Sequence, residues 1–225
     1  MNPVKKFPET KKPDGRAAKA KLTRARILDA AGELFVRNGY GATSLQDIAD
    51  QAEVAVQTIY YSFGNKQSVL KEVVDRTIAG DDEPVATLDR PWFQQALATA
   101  SAAEHLEAHL EGTRAVLDRV APILKMVEAA AAVDPAIAKL WPEEENPRLT
   151  VQTAAAESLL AKPGANPGIS VEQAADVLFG LLSPEVYLLF VSERGWTPKR
   201  WQAWTYETLH AQLCAPRTGS PLAGG

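Results

Sequence analysis

The feature that most constrains this chain is a pair of short helical runs only three residues apart. Leu45–Ala52 and Val56–Phe63 each carry apolar residues at helical spacing, with Glu53-Val54-Ala55 between them. Helices this short are unstable alone and must lean on others. One candidate support stands upstream, Arg24–Asn38. Thr23 can cap it, Gly39 can end it in the left-handed conformation, and Ile27, Ala31, Leu34 and Phe35 form one apolar stripe. A second follows, Lys66–Ala79, with Asn65 as its cap after Gly64 and with Val69, Leu70, Val73 and Val74 facing inward. Ser44 and Asp47 make an S-x-x-D start signal for the first short helix. Two short helices joined by a tight turn and packed on a preceding helix form a helix-turn-helix unit, whose second helix enters the major groove of DNA.

The composition of that second helix fits such a task. Ile59 and Phe63 lie one turn apart and face the core, while Gln57, Thr58, Tyr60, Tyr61 and Ser62 fill the remaining surface with hydrogen-bonding groups. A solvent face would normally carry Lys or Glu. Adjacent tyrosines sit about 100° apart on a helix, so both cannot point into the core. At least one is expected to find its partner outside the domain. Lys66 stands at a helix N-terminus, where the macrodipole disfavours a cation. The placement suits a phosphate held jointly by the ammonium and the free backbone N–H groups; the plain alternative is a tolerated surface lysine.

Charge is distributed unevenly. The net charge is −4, yet residues 1–80 carry 13 Lys+Arg against 9 Asp+Glu, and residues 81–225 carry 11 against 19. The first 24 residues hold 8 basic and 2 acidic side chains. Met1 to Lys21 also contains Pro3, Pro8, Pro13 and Gly15 without apolar periodicity, and reads as a disordered basic arm. Such an arm is either a solubilising tail or a source of added phosphate or minor-groove contacts.

The rest also reads as helix. After a linker over residues 80–91, the spacing predicts a helix over Ala102–Val120, started by the Ser101/Glu104 capping box, with Pro122 kinking or ending it and helix resuming to Val133. A short helix from Asp134-Pro135 to Trp141, a helix over Arg148–Ala161 and a long one over Val171–Glu193 follow. The last runs over Pro198–Leu213, with Thr197 as cap. The domain expectation is a basic arm (1–22), a helix-turn-helix domain (23–80), a helical body (81–214) and a disordered tail (215–225). No uninterrupted run reaches the ~20 apolar residues of a membrane span. The nearest is broken by Ser183, Pro184 and Glu185. With no signal-like N-terminus, the expected location is the cytoplasm, without membrane contact. The single cysteine, Cys214, excludes an internal disulfide framework and a cysteine-based zinc finger.

Three segments resemble the TetR family of bacterial transcriptional regulators. They are TRARILDAAGELF over Thr23–Phe35, NGYGATSLQDIA over Asn38–Ala49 and TIYYSFGNK over Thr58–Lys66. The resemblance covers residues 23–75. Farther on, LSPEVY from Leu182 and RGWTP from Arg194 are similar to C-terminal domains of that family. It implies an all-α protein with an N-terminal three-helix helix-turn-helix head and a larger helical ligand-binding and dimerisation body. It further implies a homodimeric repressor released from a palindromic operator by a small-molecule effector. By position, Gln46, Val56 and Gln57 are implied to meet bases. Thr58, Tyr60, Tyr61, Ser62 and Lys66 are implied to hold phosphates, with Thr43 and Ser44 doing so at the other helix. Three positions depart from the family pattern. Ser62 stands where histidine is common, Glu53 where glycine is usual in the turn, and Ala55 where a serine cap is usual.

In the body, Val171–Glu193 is apolar nearly all round, so it must be covered all round. Either it is the central helix of a monomer, or it pairs with the last helix and their symmetry mates. The second reading places a dimer interface at Leu178, Leu182, Val186, Leu189, Trp201, Trp204 and Leu209. An apolar or amphipathic effector would need an apolar cavity. Candidate lining residues are Trp92, Phe93, Leu97, Leu117, Met126, Trp141 and Tyr187, each of which equally suits plain core packing. His105 and His109, one turn apart beside Glu104 and Glu107, could chelate a metal or simply form an exposed polar face. They do not make H-E-x-x-H. No Gly-rich phosphate loop and no G-x-S-x-G is present, so no enzyme, cofactor or metal site is expected, and a metal-binding or catalytic protein using His105 and His109 is only a distant alternative. A regulator answering to a protein partner is the alternative to a small-molecule effector.

Overall fold

The computed structural model describes residues 15–81, 85–140 and 146–216, and these are helical apart from their connections. The order is α1 (Gly15–Asn38), α2 (Leu45–Gln51), α3 (Val56–Phe63), α4 (Lys66–Ala79), α5 (Pro91–Leu97), α6 (Ala102–Ala131), α7 (Pro135–Ala138), α8 (Pro147–Leu160), α9 (Val171–Leu181), α10 (Pro184–Leu188) and α11 (Pro198–Leu213). Among the described residues there is no strand, only an isolated antiparallel bridge between Ala165 and Cys214.

The head is α1–α4. The apolar stripe of α1, Ile27, Ala31, Leu34 and Phe35, is buried against Ile48 and Ala49 of α2, Ile59 and Phe63 of α3, and the four valines and leucines of α4 named above. Gly39 ends α1 at φ 84°, and its N–H donates to the Phe35 carbonyl at 3.0 Å. The start of α1 corrects the sequence expectation. The helix begins at Gly15, not at Arg24, so residues 15–22 are not an unstructured arm. Ala17, Ala18, Lys19, Ala20, Lys21 and Leu22 are strong helix formers with no breaker among them, and Thr23 therefore continues the helix instead of capping it. Residues 1–14 of the expected arm and 217–225 of the expected tail lie outside the described residues.

The body is organised around α6, which packs against α5, α8, α10 and α11 and against α1 and α4 of the head. It is one continuous helix through Pro122. Proline removes one ladder bond, but Val120, Ala121, Ile123 and Met126 are buried around it and hold the segment in place. The short helix α5 was unforeseen. Pro91 occupies its first turn, where a missing N–H costs nothing, and Phe93 and Ala96 anchor it.

The expected helix Val171–Glu193 is two helices. Leu182 leaves helical geometry at ψ 24°, Ser183 caps α10 by accepting the Val186 N–H at 3.2 Å, and Pro184 takes the first helical position. The stretch has the length and hydropathy of a membrane span, but this break falls within it and its residues pack on α6, α8 and α11. Burial within the chain bears on the residues expected at a dimer interface. Leu178, Leu182, Trp201 and Leu209 are buried within this one chain. Of that set, Val186 and Trp204 are half-buried and Leu189 is 46% exposed.

Candidate nucleic-acid interface

Local hydrogen bonding explains why α2 and α3 form where they do. Ser44 and Asp47 make a full capping box. The Asp47 N–H donates to the Ser44 hydroxyl at 3.1 Å, and the Asp47 carboxylate accepts from the Ser44 N–H at 2.8 Å and hydroxyl at 2.7 Å. The side-chain and backbone bonds from Ser44 hold the Asp47 carboxyl below its ordinary range. Glu53 carries the turn with φ 52°, the only non-glycine residue in the left-handed region among those described. Ala55 caps α3 without a side-chain bond. Gly64 ends α3 at φ 81°, and Asn65 caps α4 by accepting the Ser68 N–H at 2.8 Å.

The reading helix presents one open face. Gln57, Tyr60 and Tyr61 sit three and four positions apart and are all exposed, Tyr60 at 55% and Tyr61 at 94%. Thr58 and Ser62 flank this face half-buried, while Val56 leans on the core. Gln46 on α2 is exposed, and its amide donates to Asp50 at 2.7 Å.

Three residues expected at phosphates make hydrogen bonds within the head. Thr43 is buried, and its hydroxyl donates to the carbonyls of Gly39 at 2.9 Å and Leu34 at 3.3 Å. The Ser44 hydroxyl serves the cap and faces a carboxylate. The Lys66 ammonium turns inward, donating to the carbonyls of Tyr40 at 2.8 Å and Thr43 at 2.9 Å and lying 4.1 Å from the Tyr40 ring centroid. Burial pushes this ammonium below its ordinary range, with Asp134 of the body pulling the other way. Lys66 thus offsets the dipole of α4 by binding the carbonyls of the loop in front of it, and needs no phosphate to be explained.

Two residues the sequence did not single out stand behind the reading helix. Arg24 donates to the Ser62 carbonyl at 3.0 Å, pairs with Glu72 of α4, and stacks on Phe63 at 4.2 Å. Arg26 donates to the carbonyls of Ala52 and, at 3.1 Å, Glu53. The spacing Arg24-x-Arg26 on the exposed flank of α1 is the only sequence signal they leave.

The residues expected to line an effector cavity lie in the body. Phe93, Leu117, Met126 and Tyr187 are core residues, Trp92 and Leu97 are half-buried, and Trp141 lies outside the described residues. The Tyr187 hydroxyl donates to Asp118. Two open clefts, of about 570 and 590 Å³, lie elsewhere, one between α1, α4 and the linker and the other beside Tyr206 and Cys214. His105 and His109 are buried, which corrects their reading as an exposed face. His105 Nδ1 bonds the Ala96 carbonyl at 2.8 Å, His109 Nε2 bonds Gln152 at 2.9 Å, and the rings stack. Among the described residues no group of three or more His, Cys, Asp or Glu is placed to hold a metal.

A head of this form, a capped short helix, a tight turn and a second short helix with an open polar face, defines the helix-turn-helix class. Residues 27–73 match the family described as bacterial regulatory proteins, tetR family. The chain is similar to this family over its head. It is 43% identical over 54 residues to the transcriptional regulator YvkB of Bacillus subtilis, covering 24% of this chain and 29% of that protein. It is 38% identical over 79 residues to TtgW of Pseudomonas putida, covering 34% and 59%. The aligned stretches thus span less than two thirds of either relative. Solved structures share the fold over far more of the chain. A TetR-family regulator from Mesorhizobium loti superposes with TM-score 0.65 at 19% identity over 88% of this chain and 99% of its own. The regulator FadR from Bacillus subtilis, solved with stearoyl-CoA, superposes with TM-score 0.64 at 20% identity over 82% and 96%.

Proposed function

We propose that this protein is a cytoplasmic, homodimeric transcriptional repressor that binds a palindromic operator through α3 and leaves it when a small-molecule effector binds the body. The observation that carries the reading is the open face of Gln57, Tyr60 and Tyr61. These three side chains stand outside the apolar core of the head, on a helix that Ile59 and Phe63 hold against it. Gln46 extends that face from α2. The dimer reading rests on apolar surface that one chain leaves partly uncovered: Leu181, Val186, Leu189, Phe190 and Trp204 on α9–α11. This replaces the interface drawn through Leu178, Leu182, Trp201 and Leu209. The effector reading draws on fold neighbours solved with stearoyl-CoA and with choline, the latter from Saccharomonospora viridis.

Selection of bound sequences from a random duplex library by the full-length protein tests the central claim. A palindrome with half-sites about one helical turn apart is the expected product. Binding that shows no sequence preference and vanishes with salt would defeat it.

A further inference from the structure

We propose that Arg24 and Arg26 are positioning residues of the reading helix: they tie the C-terminal ends of α3 and α2 to α1 and do not contact DNA phosphates. The inference rests on the DNA-binding reading above. Helix C-termini carry unpaired carbonyls and a partial negative charge. In two helices as short as α2 and α3 these ends are a large fraction of the structure. Arg26 donates through one nitrogen to both Ala52 and Glu53, the carbonyls that open the turn between the helices. That turn holds a left-handed glutamate, so its backbone needs an external restraint. Arg24 spans three elements with one guanidinium, bonding Ser62 on α3, pairing with Glu72 on α4 and covering Phe63.

The neighbouring charges follow the same pattern. Six Lys and Arg residues lie between Arg24 and Arg76, and each has a partner inside the head. Lys66 holds two loop carbonyls, Lys71 pairs with Asp75, Arg76 pairs with Asp29, and Arg37 donates to Gln51. The reading helix itself, Val56–Phe63, contains no charged residue. Residues 24–76 carry 6 Lys and Arg against 7 Asp and Glu, so this stretch has no positive excess; its cations are partnered within the head, and the reading helix offers DNA a neutral, donor-rich face.

Salt dependence separates the possible roles. Affinities of full-length wild type, Arg24→Ala, Arg26→Ala, Arg24→Lys and Arg26→Lys are measured on the selected palindrome and on a random duplex, over a range of salt and well below each melting temperature. For the alanine variants a positioning role predicts palindrome affinity down by about tenfold, the scale of one misplaced base contact. Random-duplex affinity stays within about twofold and the salt slope is unchanged. The lysine variants lose palindrome affinity too, because lysine is shorter than arginine and its point donor reproduces neither the two-nitrogen fork of Arg24 nor its stacking on Phe63. They serve alone if an alanine variant fails to fold. Loss of affinity for both duplexes with a slope shallower by about one means a phosphate contact and overturns the proposal. Undiminished palindrome affinity in a folded variant also overturns it, leaving a purely structural role. If wild type selects no palindrome, the DNA-binding reading itself fails; if it does and the variants match it, only this inference fails.

Discussion

At the residue scale, the turn between α2 and α3 shows a cost that the sequence made visible and the structure explains. A side chain at φ 52° is strained by about 1–2 kcal/mol, and Glu53 accepts that strain where glycine would not. Glycine returns some of the gain through its freedom in the unfolded chain. Glu53→Gly is therefore expected to stabilise the protein by about 0.5–1 kcal/mol in urea denaturation, and a lower midpoint would mean that the glutamate side chain does something useful in the turn. Two residues on, Ala55 leaves the first N–H groups of α3 without a side-chain cap. Ala55→Ser should add about 1 kcal/mol, checked by the same denaturation. Thr43 provides the opposite case. Its single hydroxyl proton serves the Gly39 carbonyl with the Leu34 carbonyl also in reach, so Thr43→Val should cost about 1–2 kcal/mol while leaving the salt slope of DNA binding untouched. A changed slope would restore the phosphate contact that the family resemblance implies.

At the scale of elements, legibility followed the locality of the signals. The limits of α2, α3, α4 and α11 could be read almost to the residue because Ser44, Gly64, Asn65, Thr197 and Pro198 act within one turn of themselves. The first turns of α1 and the whole of α5 escaped because their markers are ambiguous: Thr23 is a good cap that can equally continue a helix, and Pro91 punctuates loops as readily as it starts helices. Ser183-Pro184 was visible as an interruption of an apolar run but not as a second helix start. Periodicity also cannot tell a core from an interface. Trp201 and Trp204 have the same composition and lie three residues apart, yet only Trp201 is sealed inside the chain. Packing between elements makes its own prediction at α5 and α6. The Trp92 ring lies against the bare Cα of Gly112, so a Cβ there would run into it. Gly112→Ala should destabilise by about 1–3 kcal/mol despite its better helix propensity. Combined with Trp92→Ala it should cost clearly less than the two changes summed, as measured by a double-mutant cycle. Additive costs would mean that α5 does not dock on α6 through this contact.

At the scale of the whole molecule, the head and body differ in what they bury. Among the described residues the head interior is apolar apart from Thr43, whereas the body encloses His105, His109, Thr113, Gln152, Ser183 and Thr205. His105 Nε2 and His109 Nδ1 have no partner there, so neither ring gains enough from hydrogen bonds to stay charged. Burial pushes His109 down to about 4 and lowers His105 as well, in both cases against hydrogen bonds that pull upward. A histidine whose folded pKa lies below its unfolded one takes up its proton more readily on unfolding, so stability rises with pH across the interval between the two values. Its contribution is complete above about pH 6.5, falls as the solution is acidified, and is gone below about pH 4, a difference on the order of 3 kcal/mol for His109. The exposed Asp47 carboxyl, held low by Ser44, loses its contribution only below its ordinary range, under the histidine window. The urea midpoint of the full protein should therefore fall between pH 6.5 and pH 4, and His109→Gln should flatten that fall. A flat wild-type profile would mean that the pair is hydrated in solution. Because α6 carries both histidines and also packs on α4 and α1, acid weakens the support of the head along with the body core. Operator binding is thus expected to fail at a pH no lower than the one at which the body loosens, even though the reading helix itself contains no Asp, Glu or His.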